Sequence, residues 1–133
     1  MATPPTTVAR RLYDAMAHAD GEALFGLLTD DFVGTVSNGM PHGVGGEHHG
    51  PADMIIGVWG RVASVYDMHV DPHDYLPVDD ERVVVLGRYW GPARDGSSAV
   101  DAAFAHIITT RGDRIAALQQ ITDTARWSID TAS

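Results

Sequence analysis

Two long alternating segments, Ala99–Thr110 and Arg114–Thr122, meet at the tight turn Arg111-Gly112-Asp113. Both exceed the usual strand of about 5–6 residues. Strand side chains point alternately to opposite faces, so Phe104, His106 and Ile108 share one face of the first strand. Leu118, Gln120 and Thr122 share one face of the second. A tight hairpin register then sets His106 near Gln120. An isolated hairpin is marginal in water, so the rest of the chain must cover one side of it.

The preceding residues supply that cover. After a loose lead-in through Pro4-Pro5, Thr6 or Thr7 is a capping residue for a helix to about Ala19, with Val8, Leu12, Ala15, Met16 and Ala19 on one face. Asp20-Gly21 interrupts it. Asp20 caps a second short helix carrying Leu24, Leu27 and Leu28. Phe32–Val36 reads as a short strand, followed by a loop from Asn38 to Gly50 rich in glycine and histidine. Gly50-Pro51 starts a third helix, because proline suits the first helical turn, where its missing N–H costs nothing. That helix runs to about Val65 and carries Met54, Ile55, Val58, Trp59, Val62 and Ala63. Met68 to about Pro77 reads as an edge strand, since Pro72 cannot donate to a ladder. Arg82–Gly91 follows as a strand expected to be buried on both faces. A last short helix, capped by Thr122 or Asp123, folds Trp127 back. Three helices cannot hide both faces of a four-stranded antiparallel sheet. The expected fold class is therefore α+β, a curved sheet wrapped around the helices with a cavity between, as one domain over residues 1–133.

Composition narrows the chemistry. A formal net charge of −9 opposes phosphate backbones and anionic lipid heads, so neither nucleic acid nor membrane is an expected partner. No apolar run reaches the roughly 18–20 residues of a membrane span, and the start lacks the features of a secretory signal. The expected location is the cytoplasm. The absence of cysteine removes thiolate nucleophiles and cysteine zinc sites. All nine basic residues are arginine, which removes lysine Schiff bases. Seven histidines, the carboxylates and four tyrosines remain for proton chemistry.

The helix pair, the loop into His49-Gly50-Pro51-Ala52, the Trp59 helix, and the block from Phe104-Ala-His through Arg111-Gly-Asp-Arg-Ile115 to Thr122-Asp123-Thr124 carry a resemblance. Over roughly residues 7 to 127 the chain resembles the SnoaL-like, ketosteroid-isomerase-related branch of the NTF2-like superfamily. The resemblance implies a cone-shaped domain with a deep apolar pocket, paired through its sheet into a homodimer. It also implies cofactor-independent cyclases, isomerases and epoxide hydrolases, beside members that only bind. The expected partner is a small apolar organic ligand, with no cofactor.

A shared fold does not fix a reaction. In polyketide cyclases of this family the positions matching His106 and Gln120 look like a histidine and a catalytic aspartate. A neutral amide orients a carbonyl or hydroxyl but takes no proton at neutral pH. The Asp-Arg-Asp set of the epoxide hydrolases falls on Tyr89, Gly87 and Gln120, and none matches. Ketosteroid isomerisation needs a carboxylate base, and none is evident. His106 is then the acid–base group and Gln120 its catalytic partner, with Trp59, Tyr89, His49 and Asp123 expected against the substrate. Each has a plainer reading: a histidine satisfied within the sheet, a core tryptophan, a helix-capping aspartate. Only one of Arg88 and Tyr89 can face inward. His42, Glu47, His48 and His49 match no metal-site spacing, so no metal is expected. The leading function is a cyclase or isomerase with His106 as acid or base. The alternative is a non-catalytic binding or accessory protein of the same fold.

Overall fold

In the computed structural model, which describes residues 3–130 and only the backbone of Ile129 and Asp130, the hairpin is the centre of one sheet. Ser98–Arg111 (β5) and Arg114–Thr122 (β6) run antiparallel, and His106 lies directly opposite Gln120. Outward from this pair lie Arg82–Pro92 (β4) and His69–Pro77 (β3) on one side, and Leu28–Val36 (β1) and Gly46–His49 (β2) on the other. The order along the sheet is β2-β1-β6-β5-β4-β3, and Ile129–Asp130 (β7) adds a short pairing to β5. The sheet curves without closing, and the helices fill its concave side.

Several expectations are corrected here. The sheet has six strands along its path rather than four, because the expected strand at Phe32, which begins at Leu28, joins it as β1 and the glycine-rich loop adds β2. β1 lies parallel to β6, whereas every other described strand pair is antiparallel. β4 is not buried on both faces. Val83 and Val85 are fully buried, but Leu86 is 37% exposed, because among the described residues no helix covers the convex side. β3 is the edge strand, and its ladder with β4 shifts register between Pro72 and Asp74, where proline has no N–H to give.

The first helix (α1) is Pro5–Ala17, two residues shorter than expected at its C-terminal end. Pro5 occupies its first turn, and no side chain caps it, so neither Thr6 nor Thr7 is the cap. Met1 and Ala2 of the expected lead-in lie outside the described residues. Asp20 does cap the second helix (α2, Gly21–Leu27), accepting from the Ala23 N–H at 3.1 Å. The third helical segment begins in a wide π-helical stretch, Asp53–Gly60, and tightens into α3, Arg61–Val65. Met54, Val58 and Val62, spaced four residues apart across the two stretches, are all buried. After β6 the expected helix is a single 3₁₀ turn, Thr124–Arg126. Trp127 nevertheless folds back and is buried, its indole N–H donating to Thr122 Oγ1 at 3.1 Å.

Candidate functional site

A cavity of about 290 Å³ opens between the π-helical stretch, the end of α1 and the concave face of β4, β5 and β6. Ala19, Gly21, Gly60 and Ala63, all exposed, rim one side of it. Its deep wall carries Tyr89, His106, Leu118, Gln120 and Trp127. Three of the sequence-derived site residues, Tyr89, His106 and Gln120, thus converge, and Trp59 lines the same space. Strand alternation resolves Arg88 from Tyr89. Tyr89 points in, while Arg88 points out and donates to Asp101 at 2.6 Å.

His106 is almost fully buried, and its ring stacks on that of Phe104 with centroids 4.1 Å apart. Both ring nitrogens are engaged. Nδ1 meets the Tyr13 hydroxyl at 2.8 Å, and Nε2 meets the Tyr89 hydroxyl. No carboxylate is among its hydrogen-bond partners within the described residues. Taking an imidazolium out of water without a counter-charge is costly, so burial pushes the His106 pKa down to about 3. Burial likewise raises the pKa of Tyr13 and Tyr89, so both phenols stay protonated. Burial without a counter-charge disfavours the imidazolium, which makes His106 a weak base at neutral pH. It is a neutral imidazole held between two phenols.

Counting protons fixes the direction of this chain. Gln120 accepts from the Ser37 backbone N–H at 3.2 Å, so its amide N–H₂ faces Tyr89 and donates to that hydroxyl at 3.3 Å. A neutral imidazole has one N–H and one lone pair. If Tyr89 donated to Nε2, Nδ1–H would donate to Tyr13. The Tyr13 proton would then be orphaned in the core, because His106 is that hydroxyl's only hydrogen-bond partner among the described residues. Such an orphan costs about 1–3 kcal/mol. In the other tautomer Tyr13 donates to Nδ1, and Nε2–H and Gln120 both donate to the Tyr89 oxygen. Within this cluster the proton left without a partner is then that of Tyr89, which lines the cavity, whereas Tyr13 does not. Two hydrogen bonds into the Tyr89 oxygen also polarise its O–H into a stronger donor.

The sequence matches the SnoaL-like domain over residues 9–118. The chain belongs to the SnoaL-like family. Solved structures share the fold. An NTF2-like protein of unknown function from Burkholderia pseudomallei K96243 is 27% identical with a TM-score of 0.84, over 98% of this chain and 99% of that one. TerC, crystallised with polyporic acid, is 24% identical with a TM-score of 0.81, over 92% and 94% of the two chains. IdmH, a proposed polyketide cyclase from Streptomyces antibioticus, is 18% identical with a TM-score of 0.78, over 93% and 95%. No significant match emerges among curated protein sequences.

Two expected substrate contacts of this SnoaL-like chain lie away from the cavity lining. His49 is exposed on β2, paired with Glu47 at 2.9 Å, because strand alternation in β2 turns it outward. Asp123 is exposed at the start of the 3₁₀ turn, with no side-chain capping bond. The loop histidines do not converge. His48 binds Asp53 and the Val44 carbonyl, while His42 binds the Tyr66 hydroxyl at 2.7 Å. Among the described residues no three His, Cys, Asp or Glu side chains gather to hold a metal ion, and no helix is long and apolar enough to cross a membrane. Sequence reasoning missed Tyr13, although it follows Ala9 by four residues on α1 and both are buried. It also missed the cavity roles of Trp127, Met16, Met40, Met54 and Met68.

Proposed function

We propose that this chain binds an uncharged, mainly apolar compound of one or two rings through a carbonyl oxygen. In this reading it promotes enolisation-dependent cyclisation or isomerisation of that compound without a cofactor. The uncommitted hydroxyl proton of Tyr89, facing an otherwise apolar cavity, carries the reading. As a carbonyl becomes an enolate, negative charge grows on its oxygen, and a fixed donor there stabilises the transition state more than the ground state. A cavity of about 290 Å³ lies at the small end of the roughly 300–1,000 Å³ of ligand pockets, which sets the ring count. No charged side chain lines it among the described residues, which favours a neutral ligand. The substrate must bring its own acidic C–H, of the kind flanked by carbonyls in polyketide-like chains, and its proton leaves to water at the mouth. A second copy would dock on the convex face, where Leu86, Ala105 and Ile121 form one cross-strand row and Ile121 is 48% exposed.

The experiment compares 2-tetralone with tetralin, the same rings without the oxygen. Wild type is expected to prefer the ketone by about tenfold, the value of one neutral hydrogen bond. Tyr89→Phe should lose that preference while keeping tetralin affinity within about threefold. An unchanged preference in Tyr89→Phe contradicts the reading. A non-catalytic binder is the second reading, favoured by the absence of any carboxylate from the described lining. Deuterium exchange at the acidic carbon of 2-tetralone separates the two. Acceleration that Tyr89→Phe abolishes supports the enzyme, and binding without acceleration supports the binder.

A further inference from the structure

We propose that Gly34 sets the size of ligand that the cavity admits, by giving Met54 a recess that keeps its side chain out of the ligand space. The proposal rests on the cavity being the ligand site, not on the donor role of Tyr89.

Four methionines line the cavity, each from a different part of the chain. Met16 comes from α1, Met40 from the loop after β1, Met54 from the π-helical stretch and Met68 from the approach to β3. The sequence holds five methionines, so Met1 is the only other one. Unbranched thioethers fill irregular space and move at little cost, so much of this wall is deformable. Met54 is the member held most tightly, at 1% exposure. It is also the one with a specific seat. A Cβ added to Gly34 would lie 2.6 Å from the Met54 sulfur and 3.0 Å from the Phe32 ring.

Gly34 sits within β1, paired to His48 on one side and Leu118 on the other. Its φ is not among the positive values, so the backbone needs no glycine. The space in front of it does. An ordinary contact lies near 3.6 Å, so a methyl at position 34 must push the Met54 sulfur by about 1 Å. Phe32 is fully buried and rigid, which leaves the thioether to yield. Met54 has core on its other sides and the cavity in front, so the displaced atoms enter the cavity. In a cavity of about 290 Å³, that intrusion separates a two-ring from a one-ring ligand.

The test uses benzene and tetralin, hydrocarbons without an acceptor, so a failure of the Tyr89 reading leaves it intact. Titrations by NMR or calorimetry on wild type and Gly34→Ala should show tetralin weakened about tenfold and benzene within twofold. Adding Met54→Ala to Gly34→Ala should restore tetralin. Should Gly34→Ala not fold, Met54→Ala alone should admit 9,10-dihydroanthracene, and wild type should exclude it. Tetralin affinity unchanged in Gly34→Ala, equal loss of both hydrocarbons, failure of Met54→Ala to restore tetralin, or no gain of the larger ligand overturns the proposal.

Discussion

Lowering the pH from 7 to 5 is expected to destabilise the folded chain by about 2 kcal/mol through His106 alone. Burial among Phe104, Tyr13 and Tyr89 pushes its pKa down to about 3, from an ordinary value of 6.5. Between those values the unfolded chain binds a proton that the folded chain refuses. The contribution is complete above pH 6.5 and is lost as the pH falls toward 3, with a limiting slope of about 1.4 kcal/mol per unit. Asp31 and Asp101 are held below the usual carboxylate range by hydrogen bonds from Arg111 and Arg88, so what they contribute is lost only at lower pH. His42 is shifted in the same direction as His106 but is only half-buried. Denaturant unfolding at pH 7, 6 and 5 measures the effect. His106→Gln, which keeps a donor and an acceptor but cannot titrate, should flatten most of the slope. An identical slope in wild type and His106→Gln would show that the imidazole is not held neutral. The same shift predicts that ligand affinity stays flat across pH 6–8, without the limb that a titrating histidine would impose.

The second large effect is expected from Gln120→Glu, which places a carboxylate at the position where the polyketide cyclases look to carry one. Gln120 is buried, with its oxygen on the Ser37 N–H and its amide on the Tyr89 hydroxyl. Glutamate keeps the shape but reverses the second bond, so Tyr89 donates to the carboxylate instead of to a ligand. No arginine is hydrogen-bonded to this group among the described residues, and burial raises its pKa. The variant should be less stable than wild type at pH 7 by about 2–4 kcal/mol. Its folded state binds a proton more readily than its unfolded state, so the deficit shrinks as the pH falls toward 5. Gln120→Glu should also lose the ketone preference. Stability equal to wild type at pH 7 would mean that this part of the cavity is far wetter than its lining implies. The comparison also explains why a neutral amide stands here: it satisfies Ser37 and Tyr89 without a charge and leaves the Tyr89 proton free.

What could be read from the chain divides along physical lines. The β5–β6 hairpin and the pairing of His106 with Gln120 follow from period-two alternation and a glycine turn, both local properties. The inward face of β4 was fixed only as an alternative between Arg88 and Tyr89, because alternation gives two faces and only tertiary packing says which is covered. β2 carried no alternating apolar signal, since glycines and histidines surround it. The parallel pairing of β1 with β6 joins segments far apart in sequence and leaves no local trace. The role of His106 was hidden for the same reason. Its type announces a group that titrates near neutrality, but its environment comes from Tyr13, 93 positions away, and Tyr89, 17 away. His49 and Asp123 show the converse, polar residues in suggestive motifs that the backbone turns to solvent.

The proposed function depends on Tyr89 offering its proton to a carbonyl in the cavity. The carbonyl stretch of bound 2-tetralone, isolated by infrared difference between the carbonyl-labelled ¹³C and ¹²C ligands, reads that bond directly. A shift to lower frequency than in an alkane solvent is expected in wild type, returning toward the alkane value in Tyr89→Phe. A stretch in wild type that matches the alkane value, with the ligand demonstrably bound, would contradict it.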